Sequence, residues 1–280
     1  MTEKVKKRIV LITGATGGIG SALAKELAGP NVILLLQGNR RSDELEKLAR
    51  TLREESAGVE TFCADLNSEA EQDRFCDFAL DRLDRVNPDG VGTLAWIHAA
   101  GLDLMAAEVK SLAFDEKMRR LFALDVTASI RMSRRIGLRM TELAMLDRMD
   151  NPTHTALNAS ILFFGWDGAS RGMEGETAQL YAAAKGAVMA YAKSLAQDLA
   201  PFVRVLSISP GWIVTDWGKQ ASNRAIARGR NESLLGRWGK PEEVAALCAF
   251  LISDQGRYLN GQNIEINGGF DCRPKWNREN

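Results

Sequence analysis

Short runs of apolar residues recur along the chain, and longer stretches with helical spacing of apolar positions lie between them. The runs predict strands over Arg8–Thr13, Asn31–Leu36, Gly58–Cys63, Thr93–His98, Thr155–Phe164, Arg204–Ser209 and Gln262–Ile266. The intervening stretches predict helices over Ile19–Ala28, Ser42–Ser56, Ser68–Leu83, Glu116–Asp147, Ala178–Leu199 and Pro241–Leu251. Nearly continuous apolar strands that alternate with helices are typical of a parallel sheet covered on both faces. Because crossovers are right-handed, we predict an α/β fold with one doubly wound sheet of about seven strands.

Composition and charge argue against several classes of protein. Lysine plus arginine and aspartate plus glutamate both number 36, so neither a nucleic acid nor a membrane is expected as a partner. The four cysteines form no C-x-x-C pair, and His98 and His154 are too few for a metal cluster, so we expect no metal. Without a signal segment, a membrane span or a linker, we expect a cytoplasmic protein with a single domain over residues 1–280.

A glycine-rich segment, Thr13-Gly14-Ala15-Thr16-Gly17-Gly18-Ile19-Gly20, follows the first predicted strand and opens a helix. Glycines there permit a tight turn and let backbone N–H groups approach a pyrophosphate, while the helix N-terminus adds partial positive charge. The segment therefore predicts a dinucleotide site. Its spacing has two interpretations, because it satisfies both G-x-x-x-G-x-G and G-x-x-G-x-x-G.

The end of the second predicted strand indicates which nicotinamide cofactor is used. An NAD site usually places a carboxylate there, about 20 residues beyond the loop, to bind the ribose 2′-hydroxyl. This chain reads Leu36-Gln37-Gly38-Asn39-Arg40-Arg41, with two arginines and no carboxylate. A guanidinium pairs well with a 2′-phosphate, so we predict NADP(H) rather than NAD(H), with Arg40 or Arg41 in contact. The alternative is that both arginines are solvated residues at the start of a helix.

Tyr181 and Lys185 are the candidate reacting side chains. Their i, i+4 spacing puts them on one face of a predicted helix. A phenol is a poor base at neutral pH, and a neighbouring ammonium makes it a better partner for proton exchange with an alcohol or carbonyl oxygen. The spacing alone is common on helices, but after a phosphate loop in this fold it indicates catalysis.

Further segments resemble the short-chain dehydrogenase/reductase family. His98-Ala99-Ala100-Gly101 is similar to the family's N-N-A-G, Asp65-Leu66 to its D-L/V pair at the adenine, and Pro210-Gly211-Trp212-Ile213-Val214-Thr215 to its P-G-x-I-x-T. Gly236–Ala245 and Asn260–Gly269 resemble its C-terminal blocks. Together with the glycine loop and the Tyr–Lys pair, the resemblance runs from Lys7 to Phe270 in family order.

This resemblance implies a Rossmann-like fold and oxidation or reduction of CH–OH and C=O groups with NADP(H). One glycine spacing resembles the single-domain branch, which includes 3-oxoacyl-carrier-protein reductase-like enzymes, and the other resembles longer relatives that act on nucleotide sugars. The length and the later blocks favour the first. A homotetramer built from the two long helices and the last strand is also implied. The residues expected at the cofactor are Gly14, Thr16, Gly18, Ile19, Gly20, Arg40, Arg41, Asp65, Leu66, Ala100, Gly101, Tyr181, Lys185, Pro210, Gly211, Ile213 and Thr215.

Two positions depart from the family pattern. The family's substrate-binding serine stands at the end of the fifth strand, 12 to 14 residues before the tyrosine, where this chain has Asp167, Gly168 and Ala169. Because we predict that this strand ends at Phe164, Trp166-Asp167 stands in the place of the serine. Asp167 is our candidate replacement, and it must be protonated to donate to a carbonyl oxygen. It can instead bind a polar substrate group or cap the next turn, and Ser160 and Ser170 are the alternative hydroxyls. Asp125 stands where the family has a relay asparagine and can still accept a hydrogen bond from a relay water.

Three functions follow from these residues. The first is an NADP(H)-dependent oxidoreductase for an uncharged carbonyl or alcohol. The second is a cofactor-binding protein with little catalysis, suggested by the altered serine and asparagine positions, and the third is a nucleotide-sugar epimerase or dehydratase. Residues Asp216–Arg237 match the family's substrate loop, and Trp217, Trp212 and Trp166 are either stacking surfaces for the substrate or packing residues.

Overall fold

Seven parallel strands form one sheet in the order β3-β2-β1-β4-β5-β6-β7. The computed structural model describes residues 6–86, 90–150, 157–215, 218 and 221–270. The predicted α/β class and doubly wound sheet are confirmed, and each predicted strand is present with bounds shifted by a few residues; Thr155 lies outside the described residues. The strands are β1 (Lys7–Thr13), β2 (Val32–Gly38), β3 (Gly58–Cys63), β4 (Val91–His98), β5 (Asn158–Phe164), β6 (Val203–Pro210) and β7 (Asn263–Ile266).

The described residues contain ten α-helices, six of which cover the two faces of this sheet. The ten helices are α1 (Gly18–Leu27), α2 (Ser42–Arg53), α3 (Glu69–Asp84), α4 (Ala107–Lys110), α5 (Phe114–Leu121), α6 (Ala128–Asp150), α7 (Gly168–Arg171), α8 (Glu176–Leu199), α9 (Asn223–Glu232) and α10 (Pro241–Ile252). Alternating strand residues supply two apolar cores: Trp96 and Phe163 pack toward α3, α6 and α8, whereas Ile97 and Leu162 pack toward α1, α2 and α10. Burial on both faces explains why the strands are apolar almost throughout.

The single helix predicted over Glu116–Asp147 is wrong in one respect. The structure divides this stretch into α5, a π-helical turn over Phe122–Thr127, and α6. A π turn keeps the helical spacing of apolar residues nearly unchanged and needs no proline or glycine, so the sequence pattern does not reveal it. Such turns are frequent at functional sites, and this one contains Asp125.

The strand order reverses between β1 and β4, and this reversal locates the site. In open parallel sheets the ligand lies beyond the carboxyl ends of the strands at such a switch point. Thr13, Gly38, His98, Phe164 and Pro210 end their strands along this one edge. In the described part of the chain, no helix is long and apolar enough to cross a membrane. Those same residues hold no group of His, Cys, Asp or Glu side chains that is suited to a metal ion.

Candidate active site

Two connected clefts open at the carboxyl edge of the sheet. The large cleft, of about 920 Å³, lies beside α8, and the small cleft, of about 300 Å³, lies over the ends of β1, β2 and β3. Both are lined by Gly17, Arg41, Ala99 and Gly101, so they form one continuous groove. Every residue expected at the cofactor lines one of the two clefts. The residues that the sequence assigned to the cofactor therefore lie together along one groove.

The glycine loop between β1 and α1 has a backbone that only glycine fits. Gly14 has φ of +70°, and a Cβ there would lie 2.7 Å from the backbone nitrogen of Ala100. A Cβ on Gly20 would lie 2.1 Å from the carbonyl oxygen of Gly14. Gly17 caps α1 without a side-chain hydrogen bond, so the first-turn N–H groups face the groove with no side-chain acceptor. A tight loop that leads to these N–H groups fits a pyrophosphate.

The end of β2 presents arginines rather than a carboxylate. Gln37 is buried, and its Nε2 donates to the carbonyl oxygens of Gly38 and Ala64, both at 2.8 Å. Beyond it, Arg40 and Arg41 line the small cleft. Their guanidinium groups lie 3.6 Å from Glu108 and 3.1 Å from Glu44, respectively, and these side chains are largely exposed. Such solvated contacts are weak, so both guanidinium groups can turn toward a phosphate in the cleft.

Asp65 and Leu66, which follow β3, form the far wall of the small cleft. Asn39 and Asn67 donate side-chain hydrogen bonds to the Asp65 Oδ1, at 3.1 and 3.0 Å. Leu66 is buried and gives the cleft an apolar surface. A carboxylate beside an apolar surface suits a purine, which has both a polar edge and a flat face.

Tyr181 and Lys185 lie on one face of α8 and line the large cleft, as their spacing predicted. The Lys185 Nζ lies 5.4 Å from the centre of the Tyr181 ring and 2.6 Å from the Asp125 Oδ1. Burial raises the pKa of the Tyr181 phenol, and the Lys185 ammonium only partly opposes this. Burial lowers the pKa of Lys185, but Asp125 and Tyr181 together outweigh this effect, so the pKa of Lys185 is raised. The pair therefore consists of a protonated phenol and a charged ammonium at neutral pH.

Asp125 lies behind the cleft and uses both carboxylate oxygens. Oδ1 faces Lys185, whereas Oδ2 accepts a hydrogen bond of 2.9 Å from the backbone N–H of Leu102. The π turn sets Asp125 between Lys185 and the loop that follows β4. The sequence indicated an acceptor for a relay water at this position; the structure brings the carboxylate into direct contact with Lys185.

Trp166 lies two residues beyond the end of β5, beside Asp167, and lines the large cleft. Its ring packs at 68° against the Tyr181 ring, with 5.5 Å between the ring centres. Asp167 also lines the large cleft, but its Oδ2 accepts from Arg171 at 2.5 Å and from Asn267 at 3.2 Å. Burial raises the pKa of Asp167, and the Arg171 guanidinium opposes this. Arg171 on α7 and Asn267 after β7 thus bind the Asp167 carboxylate in the wall of the cleft.

Neither alternative serine lines the groove. Ser160 is fully buried in the middle of β5, and the Ser170 Oγ donates to the Asp167 carbonyl oxygen at 3.4 Å. Sequence reasoning missed the contact between Trp166 and Tyr181. It also missed the link from Arg171 to Glu265, at 2.7 Å, because these residues are far apart in the chain.

His98 is a buried neighbour of the reacting centre. Its Nδ1 shares a hydrogen bond of 2.7 Å with the Thr13 hydroxyl, and burial lowers the pKa of His98 to about 3, with Lys185 adding to the effect. The imidazole is therefore neutral at physiological pH and does not act as an acid there.

The segment after β6 forms the wall opposite the glycine loop. Ile213 is buried, and the backbone N–H of Gly211 donates to Ile266 at 3.1 Å. The Trp212 ring packs on Trp238 with 5.1 Å between centres, and its Nε1 donates to Glu232 at 2.8 Å. Trp217 lies outside the described residues.

Comparisons with known proteins concern the family of the whole chain. A family model described as Enoyl-(Acyl carrier protein) reductase matches residues 14–271. The chain is 28% identical over 267 residues to an uncharacterized oxidoreductase, YmfI, of Bacillus subtilis, which covers 95% of this chain and 99% of that protein. It is 27% identical over 274 residues to the 3-oxoacyl-[acyl-carrier-protein] reductase FabG of Aquifex aeolicus, and this match covers 96% of this chain and 99% of that protein.

Solved structures share the fold. A short-chain dehydrogenase/reductase from Serratia marcescens matches with a TM-score of 0.76 at 24% identity, over 95% of this chain and 99% of that chain. A short chain dehydrogenase from Burkholderia cenocepacia in complex with NADP matches with a TM-score of 0.72 at 24% identity, over the same shares of the two chains.

Proposed function

Because the chain belongs to the short-chain dehydrogenase/reductase family, we propose that it transfers a hydride between NADP(H) and a carbonyl or secondary alcohol. The observation that carries this proposal is the pair of the partly buried Tyr181 and the buried Lys185, which lines a cleft continuous with the glycine loop. A single domain, a cytoplasmic location and an uncharged small-molecule substrate belong to the same proposal.

Each part of the groove suits one part of the cofactor. The glycine loop and the N-terminus of α1 would hold the pyrophosphate, and Arg40 and Arg41 would hold the 2′-phosphate. The backbone of Ile213 and the hydroxyl of Thr215 would hold the nicotinamide carboxamide. When bound, the group supplies the hydride, and the protein supplies its orientation and a proton.

Tyr181 is the proton donor in this proposal. In reduction, the carbonyl carbon accepts the hydride while the carbonyl oxygen takes the phenolic proton, so the products are the alcohol and the oxidised cofactor. A pKa raised by burial keeps the phenol protonated and therefore ready to donate at neutral pH. Lys185, held by Asp125, stabilises the phenolate that remains until a proton from solvent replaces the lost one.

The test follows NADPH absorbance with a panel of ketones, aldehydes and quinones, for the parent protein and for Tyr181→Phe. Turnover that the substitution abolishes supports the proposal. The second candidate, a cofactor-binding protein with little catalysis, is favoured by the placement of Trp166 where the family pattern has a hydroxyl. NADPH binding without turnover in either direction would support that candidate, and comparing the affinities for NADPH and NADH tests the choice of cofactor.

We also propose a homotetramer that uses the helices α5, α6 and α8 and the edge strand β7. The exposed apolar side chains of Leu138, Met145 and Met149 on α6 support this, because lone surface helices seldom expose so many. Sedimentation velocity tests it, and a monomer at working concentration would contradict it.

A further inference from the structure

The indole ring of Trp166 is held rigidly in the large cleft. A Cβ on Gly168 would lie 2.4 Å from its Cζ2, so the ring lies flat against a backbone without a side chain. The Tyr181 ring meets the indole at 68°. These neighbours fix one orientation of the ring before any substrate binds.

The rest of this cleft is mainly apolar near Trp166, and most of its charged groups are already paired. The charged lining residues that have no ion pair among the described residues are the exposed acids Asp103 and Glu174 and the exposed Arg224, so their net charge is negative and disfavours an anionic substrate. The apolar lining residues include Leu102, Leu104, Met105, Phe164, Met173 and Phe270. The ion pairs join Arg171 to Asp167 and Glu265, Arg228 to Glu232, and Lys117 to Glu176.

In the proposed function, Tyr181 donates a hydrogen bond to the substrate oxygen. The segment after β5 offers the indole ring of Trp166, whereas the family pattern has a serine hydroxyl there. With no second hydrogen bond from that position, the carbonyl must be oriented by packing of the group attached to it. A fixed indole face suits a flat ring or a conjugated chain better than a puckered aliphatic one, because stacking needs two flat surfaces.

We propose that the substrate is a planar, uncharged aryl or conjugated carbonyl that stacks on Trp166 and directs its oxygen to Tyr181. This inference rests on the proposed function and adds the class of substrate to it. Trp166 would then determine specificity by touching the substrate, in addition to packing against the catalytic tyrosine.

Two ketones with the same carbon skeleton test the proposal: acetophenone, which is planar, and cyclohexyl methyl ketone, which is puckered. For each variant we divide kcat/KM for acetophenone by kcat/KM for cyclohexyl methyl ketone. A loss of activity that affects both ketones equally does not change this ratio. We expect the parent protein to favour acetophenone and Trp166→Leu to lower the ratio by about two- to tenfold. Trp166→Phe, which keeps an aromatic face, should retain most of the ratio.

Trp212→Leu is the matched control, because Trp212 lines the same cleft but packs on Trp238. It should change the rates with both ketones alike and leave their ratio as in the parent. The same ratio in Trp166→Leu as in the parent would overturn the proposal, whether or not the overall rate falls.

Calorimetric binding of both ketones to the protein with NADP⁺ gives a reading that needs no turnover. If neither ketone is reduced but acetophenone binds more tightly and loses this advantage in Trp166→Leu, the stacking site stands and the proposed oxidoreductase function fails. If ketones are reduced and the binding ratio does not depend on Trp166, the function stands and this inference fails.

Discussion

Replacing Asp125 by asparagine tests the buried ion pair behind the reacting centre. The side chains of Asp125 and Lys185 are 0% and 6% exposed, with 2.6 Å between Oδ1 and Nζ. The other carboxylate oxygen accepts the N–H of Leu102, and the amide oxygen of asparagine can keep that hydrogen bond. The substitution therefore removes the negative charge alone and leaves the Lys185 ammonium buried beside an amide.

The expected loss of stability depends on pH. Removing one partner of a buried ion pair costs about 3–5 kcal/mol. Lys185 can avoid part of this cost by losing its proton on folding, at about 1.4 kcal/mol per pH unit below the ordinary lysine pKa of about 10.4. At pH 7, loss of the Lys185 proton on folding costs about 4.6 kcal/mol, so nearly the full 3–5 kcal/mol is lost from the free energy of unfolding. At pH 9 it costs about 1.9 kcal/mol and limits the loss to about 2 kcal/mol.

The sign follows from the direction of each pKa shift. In the parent, the folded pKa of Lys185 is raised, so the contribution of the pair is complete below the unfolded pKa and is lost as pH rises through the folded one. In Asp125→Asn, the carboxylate that opposed the effect of burial is absent, so burial depresses the folded pKa of Lys185. The variant therefore gains stability as pH rises toward the unfolded pKa, and the deficit shrinks.

The assay is urea unfolding at pH 6, 7, 8 and 9, followed by the fluorescence of the six tryptophans at one protein concentration. Asp73→Asn is the control, because the Asp73 side chain is 50% exposed and pairs with Arg131 and Arg135 on the surface. It should cost less than about 1 kcal/mol at every pH. The double variant Asp125→Asn, Lys185→Met should recover part of the stability, since no buried charge remains.

The reasoning is refuted by a loss of less than about 1 kcal/mol for Asp125→Asn at pH 7, a quarter or less of the value worked out above. A deficit of equal size at pH 7 and pH 9 refutes it as well, because an uncompensated lysine must titrate between these values. A variant that is unfolded at pH 7 should refold at pH 9.

Three other perturbations address the remaining parts of the site. Gly20→Ala places a Cβ 2.1 Å from the Gly14 carbonyl oxygen, so calorimetry should show at least about a tenfold weaker NADPH affinity; an affinity within about twofold of the parent would contradict the fit of the loop. His98→Gln should remove a loss of stability that the parent shows as pH falls from 6.5 toward 3, since the imidazole of the unfolded chain takes up a proton in this range whereas the buried ring, with a folded pKa of about 3, stays neutral; acid unfolding with the same slope in both proteins would disprove this. Arg41→Ala should weaken binding of NADPH and leave that of NADH unchanged, and equal losses for both cofactors would remove the assigned phosphate contact.

The parts of the fold that the sequence predicted are those governed by local pattern. Buried parallel strands must be apolar on both faces, so each strand appears as a run such as Ile9–Ile12. Gly14 and Gly20 stand where the backbone leaves no room for a Cβ, and the spacing of Tyr181 and Lys185 fixes a shared helix face. These features need no knowledge of distant residues.

What the sequence did not predict depends on contacts between distant segments. The π turn leaves the apolar spacing intact, so the direct contact of Asp125 with Lys185 could not be foreseen. Asp167 matched the serine position by its count from the tyrosine, but its carboxylate accepts a hydrogen bond from Asn267, which follows β7 and lies a hundred residues further along the chain. A count along the chain gives position in a loop, whereas side-chain direction follows from what packs around it.

The two departures from the family pattern act on Tyr181 in the same sense. Asp125 neutralises the ammonium that would otherwise favour the phenolate, and Trp166 adds an apolar ring to the burial that raises the pKa of the phenol. Both changes stabilise the protonated form, which donates to a carbonyl oxygen, over the phenolate, which would accept a proton from an alcohol. The protonated phenol is the form that the proposed carbonyl reduction requires.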